Sequence, residues 1–402
     1  MSVLLHQSSV IFGVNISFAD FFCFYIILYL AFNKQFLIPT LPMLLFMLVS
    51  MSVLVTALFY VPIKFMIYPE PTKIVSDFIK ILAVILYFFL GYNLLITNRM
   101  EYLIKWYSIF GILIGFIGIL FTVLNIKILS SLLFYGEVRF RGLMNDPNYF
   151  SVLQITALAY FTRIKSSRVI IQGLPIFIIL LSVIVSGSKT GIITLIIFFT
   201  YRIIEYLFLK KKRLLPLISQ LLFITILVLL IPMLLGLLQA TALEIANKIP
   251  SFARIQYLFY DFGAAVSENG SVRDEAWGGA MQIIQSSPVV GIGIGTYMEV
   301  VTKNFHADDI AHNTLLQISA EWGLPAALVF SLLALLLLTK SANKVANNNV
   351  INQMLRDILI VLLIGSMAIS LNNSRLLWLI LGALSAAIFG KKINIIKKGA
   401  PA

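Results

Sequence analysis

One polar interruption, residues 239 to 313, separates two long apolar segments and concentrates side chains that could do chemistry. It contains two of the three histidines, His306 and His312, and eight of the seventeen acidic residues. An imidazole exchanges protons near neutral pH, so His312 is a candidate general base, and a purely structural histidine is the alternative. Zinc is not indicated, because no His-Glu-x-x-His spacing occurs and only His306 lies nearby.

The residues after His312 predict a helix that carries further polar groups. Asn313 follows directly, and Gln317 and Glu321 come five and nine residues after His312. On a helix this spacing places His312, Gln317 and Glu321 near one face. The pattern therefore predicts that the Glu321 carboxylate lies beside the imidazole.

Arg273 opens a second predicted helix, within residues 271–288. Ala276, Ala280 and Ile284 recur at four-residue spacing, which indicates an amphipathic helix on the outer surface. A cation at a helix N-terminus opposes the helix dipole, so Arg273 needs another partner. An anionic ligand is one such partner, and an exposed ion pair with Asp274 or Glu275 is the other.

A third cationic segment holds Arg139 and Arg141 just before Asp146-Pro147-Asn148. Asp-Pro-Asn is typical of a helix start, since an acidic residue caps the amide groups and proline fits the first turn. Helix N-termini also favour anions, so Arg141 is a candidate anion contact. Interfacial arginines beside a capped helix are the alternative.

The fourth cationic position is Lys189, in Ser186-Gly187-Ser188-Lys189-Thr190-Gly191. The segment lacks the spacing of a phosphate-binding loop, so a nucleotide site is not indicated. Lys189 is therefore a single cation at the end of an apolar run, either functional or extended towards water. Gly291-x-Gly293-x-Gly295 likewise lacks the dinucleotide fingerprint and predicts a close-packed bend.

Composition defines the elements that must position these residues. Hydrophobic residues make up 60% of the 402, charged residues 12%, and mean hydropathy is +0.98. Apolar runs of roughly 20 residues recur, the length that crosses a bilayer as a helix. We predict an all-α, polytopic integral membrane protein with about eleven to twelve transmembrane helices, and one large extracytoplasmic loop containing short helices. The runs lie near 17–32, 37–61, 76–97, 103–125, 147–162, 168–186, 189–209, 214–238, 314–339, 356–372 and 375–390.

Charge placement predicts the orientation. The net charge is +13, but the residues from 239 to 311 carry four basic and eight acidic side chains. Basic clusters fall in short connections at alternate ends of the runs and in the tail, which favours the cytoplasm for those ends. The acidic loop then faces outward, together with Arg139, Arg141, Lys189 and Arg375, and nucleic acid is not an expected partner. The same alternation leaves a short N-terminus outside, unless residues 3–16 form a further partial span.

The first apolar segment and the single cysteine both fit an integral membrane protein. The first apolar segment has no basic region before it and no small-residue cleavage site, so we expect it to be retained. Cys23 is the only cysteine, which excludes an internal disulfide bond.

In its polar segments the chain resembles the bacterial O-antigen ligase and O-antigen polymerase superfamily of integral-membrane glycosyltransferases. The resemblance covers roughly residues 139–390. It rests on five motifs in a fixed order around one loop: Arg-x-x-Gly-x-x-x-Asp-Pro-Asn, Ser-Gly-Ser-Lys, Arg273 with Trp277, Ser-Pro-x-x-Gly-x-Gly, and His312-Asn313 running into Glu321-Trp322-Gly323.

The resemblance implies a reaction. A glycan would pass from an undecaprenyl-diphosphate carrier to a hydroxyl acceptor, without a metal, a nucleotide sugar or a cofactor. His312 and Arg273 match the family's loop histidine and arginine, and are the expected catalytic residues. Lys189 replaces a family arginine, which keeps the charge but loses the bidentate fork. The expected diphosphate- and substrate-binding residues are Lys189, Arg141, Arg139, Glu321 and Asn313.

The resemblance also implies the setting. We expect N-terminal transmembrane helices in 1–135, a ligase- or polymerase-like core in 136–390 that includes the loop 239–313, and a basic cytoplasmic tail in 391–402. The expected location is the bacterial inner membrane, with the site on the periplasmic side. Expected partners are the lipid-linked oligosaccharide donor, a glycan or lipid acceptor, the bilayer and a chain-length regulator.

Three functions remain open at this level. The first is a polymerase that joins repeat units of O-antigen, capsule or exopolysaccharide. The second is a ligase that attaches finished glycan to lipid A–core, by the same chemistry. The third is a transporter or flippase of lipid-linked glycan, although no repeat-related halves are visible in the sequence.

Overall fold

The computed structural model describes residues 1–7, 16–126, 128–136, 138–164, 169–206, 273–342 and 349–390. The predicted run 214–238, the loop before Arg273 and the basic tail 391–402 lie outside the described residues. The helices are α1 Phe18–Phe32, α2 Thr40–Phe65, α3 Pro71–Ile96, α4 Met100–Val123, α5 Pro147–Arg163, α6 Val169–Val185, α7 Lys189–Ile204, α8 Arg273–Ser286, α9 Tyr297–Phe305, α10 Thr314–Trp322, α11 Leu324–Ser341, α12 Val350–Gly365 and α13 Arg375–Phe389.

The predicted all-α membrane fold is confirmed. By length and composition, α2, α3, α4 and α11 can cross a bilayer, and shorter apolar helices accompany them. Within the described ranges the strands form one small hairpin, β1 Phe134–Tyr135 with β2 Arg139–Phe140. The total of eleven to twelve spans stays a prediction.

Two predicted runs have different bounds in the structure. The run 314–339 is two helices, α10 and α11, because Gly323 between them has φ +85 and a Cβ there would lie 2.0 Å from the Val289 carbonyl oxygen. The run 356–372 is helix α12, which begins at Val350 and ends at Gly365. In both cases hydrophobicity continues through a backbone break, so the apolar run alone did not show where the helix ends.

Helix α5 lies at the centre of the bundle, in contact with α4, α6, α7 and α12. Every side chain from Phe150 to Phe161 is buried. Its start is as predicted: Asp146 caps it by accepting from the Asn148 and Tyr149 amides, and Pro147 occupies the first turn. The central position fixes both ends of α5 relative to the helices around it.

The end of α5 remote from the loop carries a buried network of charges. Arg163 donates from Nε and Nη2 to the two Asp357 carboxylate oxygens over 2.7 and 2.8 Å, and Nη2 also lies 2.6 Å from Glu205 Oε2. Arg202 and Arg356 pair with Glu205 as well. The network ties α5 and α12 to the end of α7. The acidic partners of Arg163 are 42 and 194 residues away along the chain, so local sequence does not indicate this network.

The N-terminal residues Ser2–His6 form a short 3₁₀ helix that packs against α4. The His6 ring stacks on Tyr107 with 4.2 Å between ring centroids, and His6 Nε2 lies 3.0 Å from the Tyr107 carbonyl oxygen. His6 is buried. Leu5 and His6 are therefore buried against the bundle. Residues 8–15 lie outside the described residues, so the external N-terminus and the partial span over 3–16 both stay predictions.

Helices α3 and α13 cross at two glycines. A Cβ at Gly91 would lie 1.9 Å from the Leu379 carbonyl oxygen, and a Cβ at Gly382 would lie 1.9 Å from the Phe88 carbonyl oxygen. At each glycine, the backbone of the neighbouring helix therefore occupies the space that a Cβ atom would need. Such a close approach gives continuous dispersion contact along the pair, a packing mode common in membranes.

We expect Gly382→Ala to lower the free energy of unfolding by about 1–3 kcal/mol, because the new methyl group pushes α3 and α13 apart. Thermal unfolding of the purified protein in detergent measures the change. Gly173→Ala is the matched control, since no heavy atom of the described residues lies within 4 Å of a Cβ there. Equal melting temperatures for the two variants would contradict the proposed close packing.

Candidate active site

Two capped helix starts meet beside the hairpin. Ser188 caps α7 by accepting from the Gly191 amide, and its hydroxyl donates to Asn148 Oδ1 in the first turn of α5 over 2.8 Å. Helices α5 and α7 run in the same direction, with α6 returning between them. Their N-terminal amide groups and dipoles therefore favour an anion at this end of the bundle.

Arg139 joins these two helix starts. It leaves strand β2, is 9% exposed, and donates from Nη2 to Asn148 Oδ1 over 3.2 Å and from Nε to the Ser186 carbonyl oxygen over 3.1 Å. A guanidinium with several donors can hold such contacts and still bind a further oxygen. Arg139 thus places a charge between the α5 and α7 starts.

Lys189 and Arg273 complete the cationic cluster. Lys189 is the first residue of α7 and is partly buried. Arg273 is the first described residue of the loop helix α8, and its Nη2 lies 3.1 Å from the Thr190 hydroxyl, on the residue after Lys189. Three cations from three separate elements, Arg139, Lys189 and Arg273, are therefore carried to one end of α5 and α7.

Helix α8 is built as predicted. Ala276, Ala280 and Ile284 are buried, and the helix packs against α9 and α10. Residues 271 and 272 of the predicted helix lie outside the described residues. The buried alanine face fixes the position of α8. The packed helix therefore places Arg273 next to Thr190.

Arg141 has hydrogen-bond partners other than the two helix starts that Arg139 contacts. Its Nη2 donates to the Ser131 carbonyl oxygen over 2.8 Å, its Nη1 to that of Asn145 over 3.1 Å and its Nε to that of Leu132 over 3.3 Å. These carbonyls belong to the segment around the hairpin. The geometry therefore favours Arg139 over Arg141 as the hairpin's contribution to the anion site.

His312 sits where the loop enters α10, with Asp309 as its partner. The imidazole Nε2 lies 3.1 Å from Asp309 Oδ2, and the ring is partly exposed. If Nε2 carries the proton towards Asp309, the Nδ1 lone pair is the basic one. Nδ1 makes no hydrogen bond within the part of the chain that the structure describes, so it can accept a proton from a substrate.

The corner after His312 is fastened to the segment between α12 and α13. Asn313 caps α10 through its side-chain oxygen and donates from Nδ2 to the Met367 carbonyl oxygen over 3.2 Å. The Thr314 amide donates to the Ser366 carbonyl oxygen over 2.8 Å. The Asn313 side chain is thus engaged in holding His312 in place. A Cβ at Gly365, just before this segment, would lie 2.8 Å from Val152 near the start of α5, so the corner adjoins the helix end that carries Asn148.

Glu321 is a full helix length away from His312. Glu321 Oε1 accepts a hydrogen bond from the side-chain amide of Gln317, and Asn372 Nδ2 lies 3.4 Å from Glu321 Oε2. Glu321 precedes the spanning helix α11, and burial raises its pKa to about 8, while the hydrogen bond from Gln317 acts in the opposite direction. The predicted pairing of Glu321 with His312 is wrong, because two helical turns separate them and Asp309 occupies that role.

Tyr297 lies near enough to Glu321 and Asp309 to feel both charges, and its buried hydroxyl has no hydrogen-bond partner among the described residues. Burial, with the nearby charges of Glu321 and Asp309, raises the pKa of its hydroxyl. The residue opens α9 just after the glycine-rich bend, where Gly291, Gly293 and Gly295 all have positive φ and approach the backbones of α10, α2 and α3. The predicted close-packed bend is confirmed, and it fixes the loop helices on the bundle.

Among the described residues, no three His, Cys, Asp or Glu side chains come together as metal ligands would. The metal-independent reaction stays a prediction.

Residues 174–331 match the family described as O-Antigen ligase. This segment of the chain is therefore similar to the O-antigen ligase family. The match confirms the resemblance to the ligase and polymerase superfamily and supports a membrane protein with ligase- or polymerase-type function. A comparison with curated proteins gave no match.

The matched segment begins within α6 and ends within α11. It includes Lys189, Arg273, His312, Asn313 and Glu321, while Arg139 and Arg141 precede it. The cationic cluster is therefore assembled from the matched segment and from the hairpin before it.

Sequence reasoning missed the residues that hold the site together. Asn148, Ser188 and Thr190 form its hydrogen-bonding frame, and Asp309 orients His312. The signal for Asn148 and Ser188 was present, because each stands in a helix-start motif beside a cation. The spacing of Asp309 and His312, three residues, also allows contact, but only a turn with His312 at φ +45 realises it.

Proposed function

We propose that this protein transfers a glycan from an undecaprenyl-diphosphate carrier to a hydroxyl acceptor at the periplasmic face of the bacterial inner membrane. The observation that carries the proposal is the cationic cluster of Arg139, Lys189 and Arg273 at two helix N-termini. A diphosphate leaving group gains negative charge in the transition state, and preplaced cations and amide dipoles stabilise that charge. The similarity to the O-antigen ligase family supports the same class of reaction.

The steps follow from this arrangement. The acceptor hydroxyl oxygen attacks the anomeric carbon of the donor sugar, and the bond from that carbon to the diphosphate oxygen breaks. His312 Nδ1 accepts the hydroxyl proton, and the imidazolium charge is balanced by Asp309. Arg273, Lys189 and Arg139 bind the released undecaprenyl diphosphate, whose apolar tail stays in the bilayer.

For the acceptor, we propose a lipid-linked repeat unit, which makes the protein a polysaccharide polymerase. The family description favours a second candidate, a ligase that transfers finished glycan to lipid A–core. The cluster and His312 serve both, since donor and bond chemistry are the same.

Surface polysaccharide from a deletion strain separates the two. For a polymerase, we expect the ladder of chain lengths to disappear while a single repeat unit remains on the surface acceptor. Re-expression of the wild-type chain should restore the ladder. A deletion strain that retains full ladders, confined to the lipid carrier, would show a ligase instead.

A further inference from the structure

A cavity of about 300 Å³ lies beside the hairpin. Its lining residues are Ser130, Ser131, Phe134, Tyr135, Gly136 and Arg141. This volume is at the lower end of the range of roughly 300–1,000 Å³ for small-molecule sites. The walls combine hydroxyl groups, a guanidinium and an aromatic ring, and the reaction proposed above leaves this cavity unused.

The hairpin that forms the cavity is fixed by the packing of its two phenylalanines. Phe134 and Phe140 are cross-strand partners whose ring centroids lie 5.4 Å apart, and Phe140 contacts Phe150 of α5 over 5.2 Å. Both hairpin phenylalanines are buried. The cavity wall is therefore held by the central helix of the bundle.

The second cross-strand pair of the hairpin includes Arg139 of the cationic cluster. Tyr135 lies opposite Arg139 in the register, so both side chains leave the same face of the hairpin. Tyr135 is 53% exposed, whereas Arg139 reaches to Asn148 and Ser186. Directly opposed residues have Cα atoms about 5 Å apart. Tyr135 therefore neighbours the strand position that carries Arg139 of the cationic cluster.

Arg141 is held as a fixed donor at the cavity wall. Three of its N–H groups donate to the carbonyl oxygens of Ser131, Leu132 and Asn145. A guanidinium has five N–H groups, so among the described residues one N–H on each Nη makes no hydrogen bond and can face a ligand. With the hydroxyls of Ser130 and Ser131, these groups match the hydroxyls around a sugar ring, while an exposed aromatic face matches its C–H side.

We propose that this cavity binds one pyranose unit of the lipid-linked glycan, with Tyr135 as the stacking surface and Arg141, Ser130 and Ser131 as polar contacts. The proposal rests on the proposed glycan transfer and gives that reaction a saccharide subsite next to its diphosphate site. Arg139 and Arg141, two residues apart on one strand and its extension, then serve the two chemically different parts of the substrate.

The test is direct binding, because it needs no turnover. The probe is the repeat-unit oligosaccharide released without lipid from the host strain's own polysaccharide, titrated into the full-length protein in nanodiscs by saturation-transfer NMR. We expect Tyr135→Ala to weaken binding about fivefold or more and Tyr135→Phe to bind like wild type, since the ring carries the contact. Tyr68→Ala is the matched control, because Tyr68 is also exposed, at 81%, and lies away from the hairpin.

A Tyr135→Ala protein that binds the oligosaccharide as wild type does would overturn the proposal and leave Tyr135 as a membrane-interface residue. Because Tyr135 is exposed, its removal leaves the core intact, and folding is checked by gel filtration. Kinetics then identify the source of the sugar: a raised KM for the single lipid-linked repeat means the acceptor, and a raised KM for preformed longer chains means the donor. Oligosaccharide binding is independent of His312, so the subsite and the transfer reaction fail separately.

Discussion

Removing the His312 imidazole is expected to lower the rate of glycan transfer by about 10²- to 10⁴-fold, the usual contribution of a general base. A sugar hydroxyl is a weak nucleophile until its proton leaves, and Nδ1 of His312 is placed to take it. Asp309 holds the other ring nitrogen at 3.1 Å, which selects the tautomer with a basic Nδ1. We expect Asp309→Asn to cause a smaller loss, since Asp309 is 41% exposed and water can replace part of its contact.

The choice of replacement decides how clear this experiment is. His312 has φ +45, in the left-handed region, where asparagine is tolerated better than alanine. His312→Asn therefore removes the base while keeping the backbone, and His312→Ala is the second variant. His306→Ala is the matched control, because His306 is an exposed histidine of the same loop and also has positive φ.

The readout is the chain-length distribution of surface polysaccharide, together with the rate of polymer formation by purified protein. A folded His312→Asn protein that makes polymer at the wild-type rate and length would rule out the general-base role. It would also revive the transporter alternative, for which His312 has no catalytic task.

Local sequence signals predicted much of this fold because they act over a few residues. Asp146-Pro147 marked the start of α5, and the four-residue spacing of Ala276, Ala280 and Ile284 marked the buried face of α8. The break at Gly323 was missed, because apolar residues continue on both sides and only the approach of the Val289 carbonyl oxygen requires glycine there. Long-range packing decided where that helix stops.

In the candidate site, too, local features were predictable from the sequence and long-range contacts were not. The sequence identified cations near helix starts, but not which of Arg139 and Arg141 faces the α7 start. That choice depends on hairpin register and on hydrogen bonds to Asn148 and Ser186, which lie 9 and 47 residues from Arg139. Spacing along an assumed continuous helix likewise favoured Glu321 as the partner of His312, whereas a turn outside the helix supplies Asp309.

Replacing Arg273 by lysine is expected to lower kcat/KM by about tenfold to a hundredfold, the scale of one or two lost charge-assisted hydrogen bonds. Lysine keeps the positive charge but lacks the planar fork that contacts two phosphate oxygens together. Lys189 already supplies a point charge beside Thr190. Of the pair Lys189 and Arg273, only Arg273 has the planar guanidinium fork, and a lysine at position 273 would lack it. Lys189→Arg should therefore be tolerated, since it adds a fork where the cluster has a single charge.

A structural explanation of Arg273 makes a different prediction. If the role of Arg273 is to dock α8 onto α7, to which its 3.1 Å contact with Thr190 contributes, then Thr190→Val should reproduce a clear part of the loss seen for Arg273→Lys. If Arg273 binds diphosphate, Thr190→Val costs little and Arg273→Lys costs much, with the effect concentrated in the step that releases the diphosphate. Arg99→Lys provides the matched control, because Arg99 stacks over Tyr29 at the opposite end of the bundle. Near-normal turnover of Arg273→Lys would exclude a bidentate contact and leave Arg139 as the guanidinium that binds the leaving group.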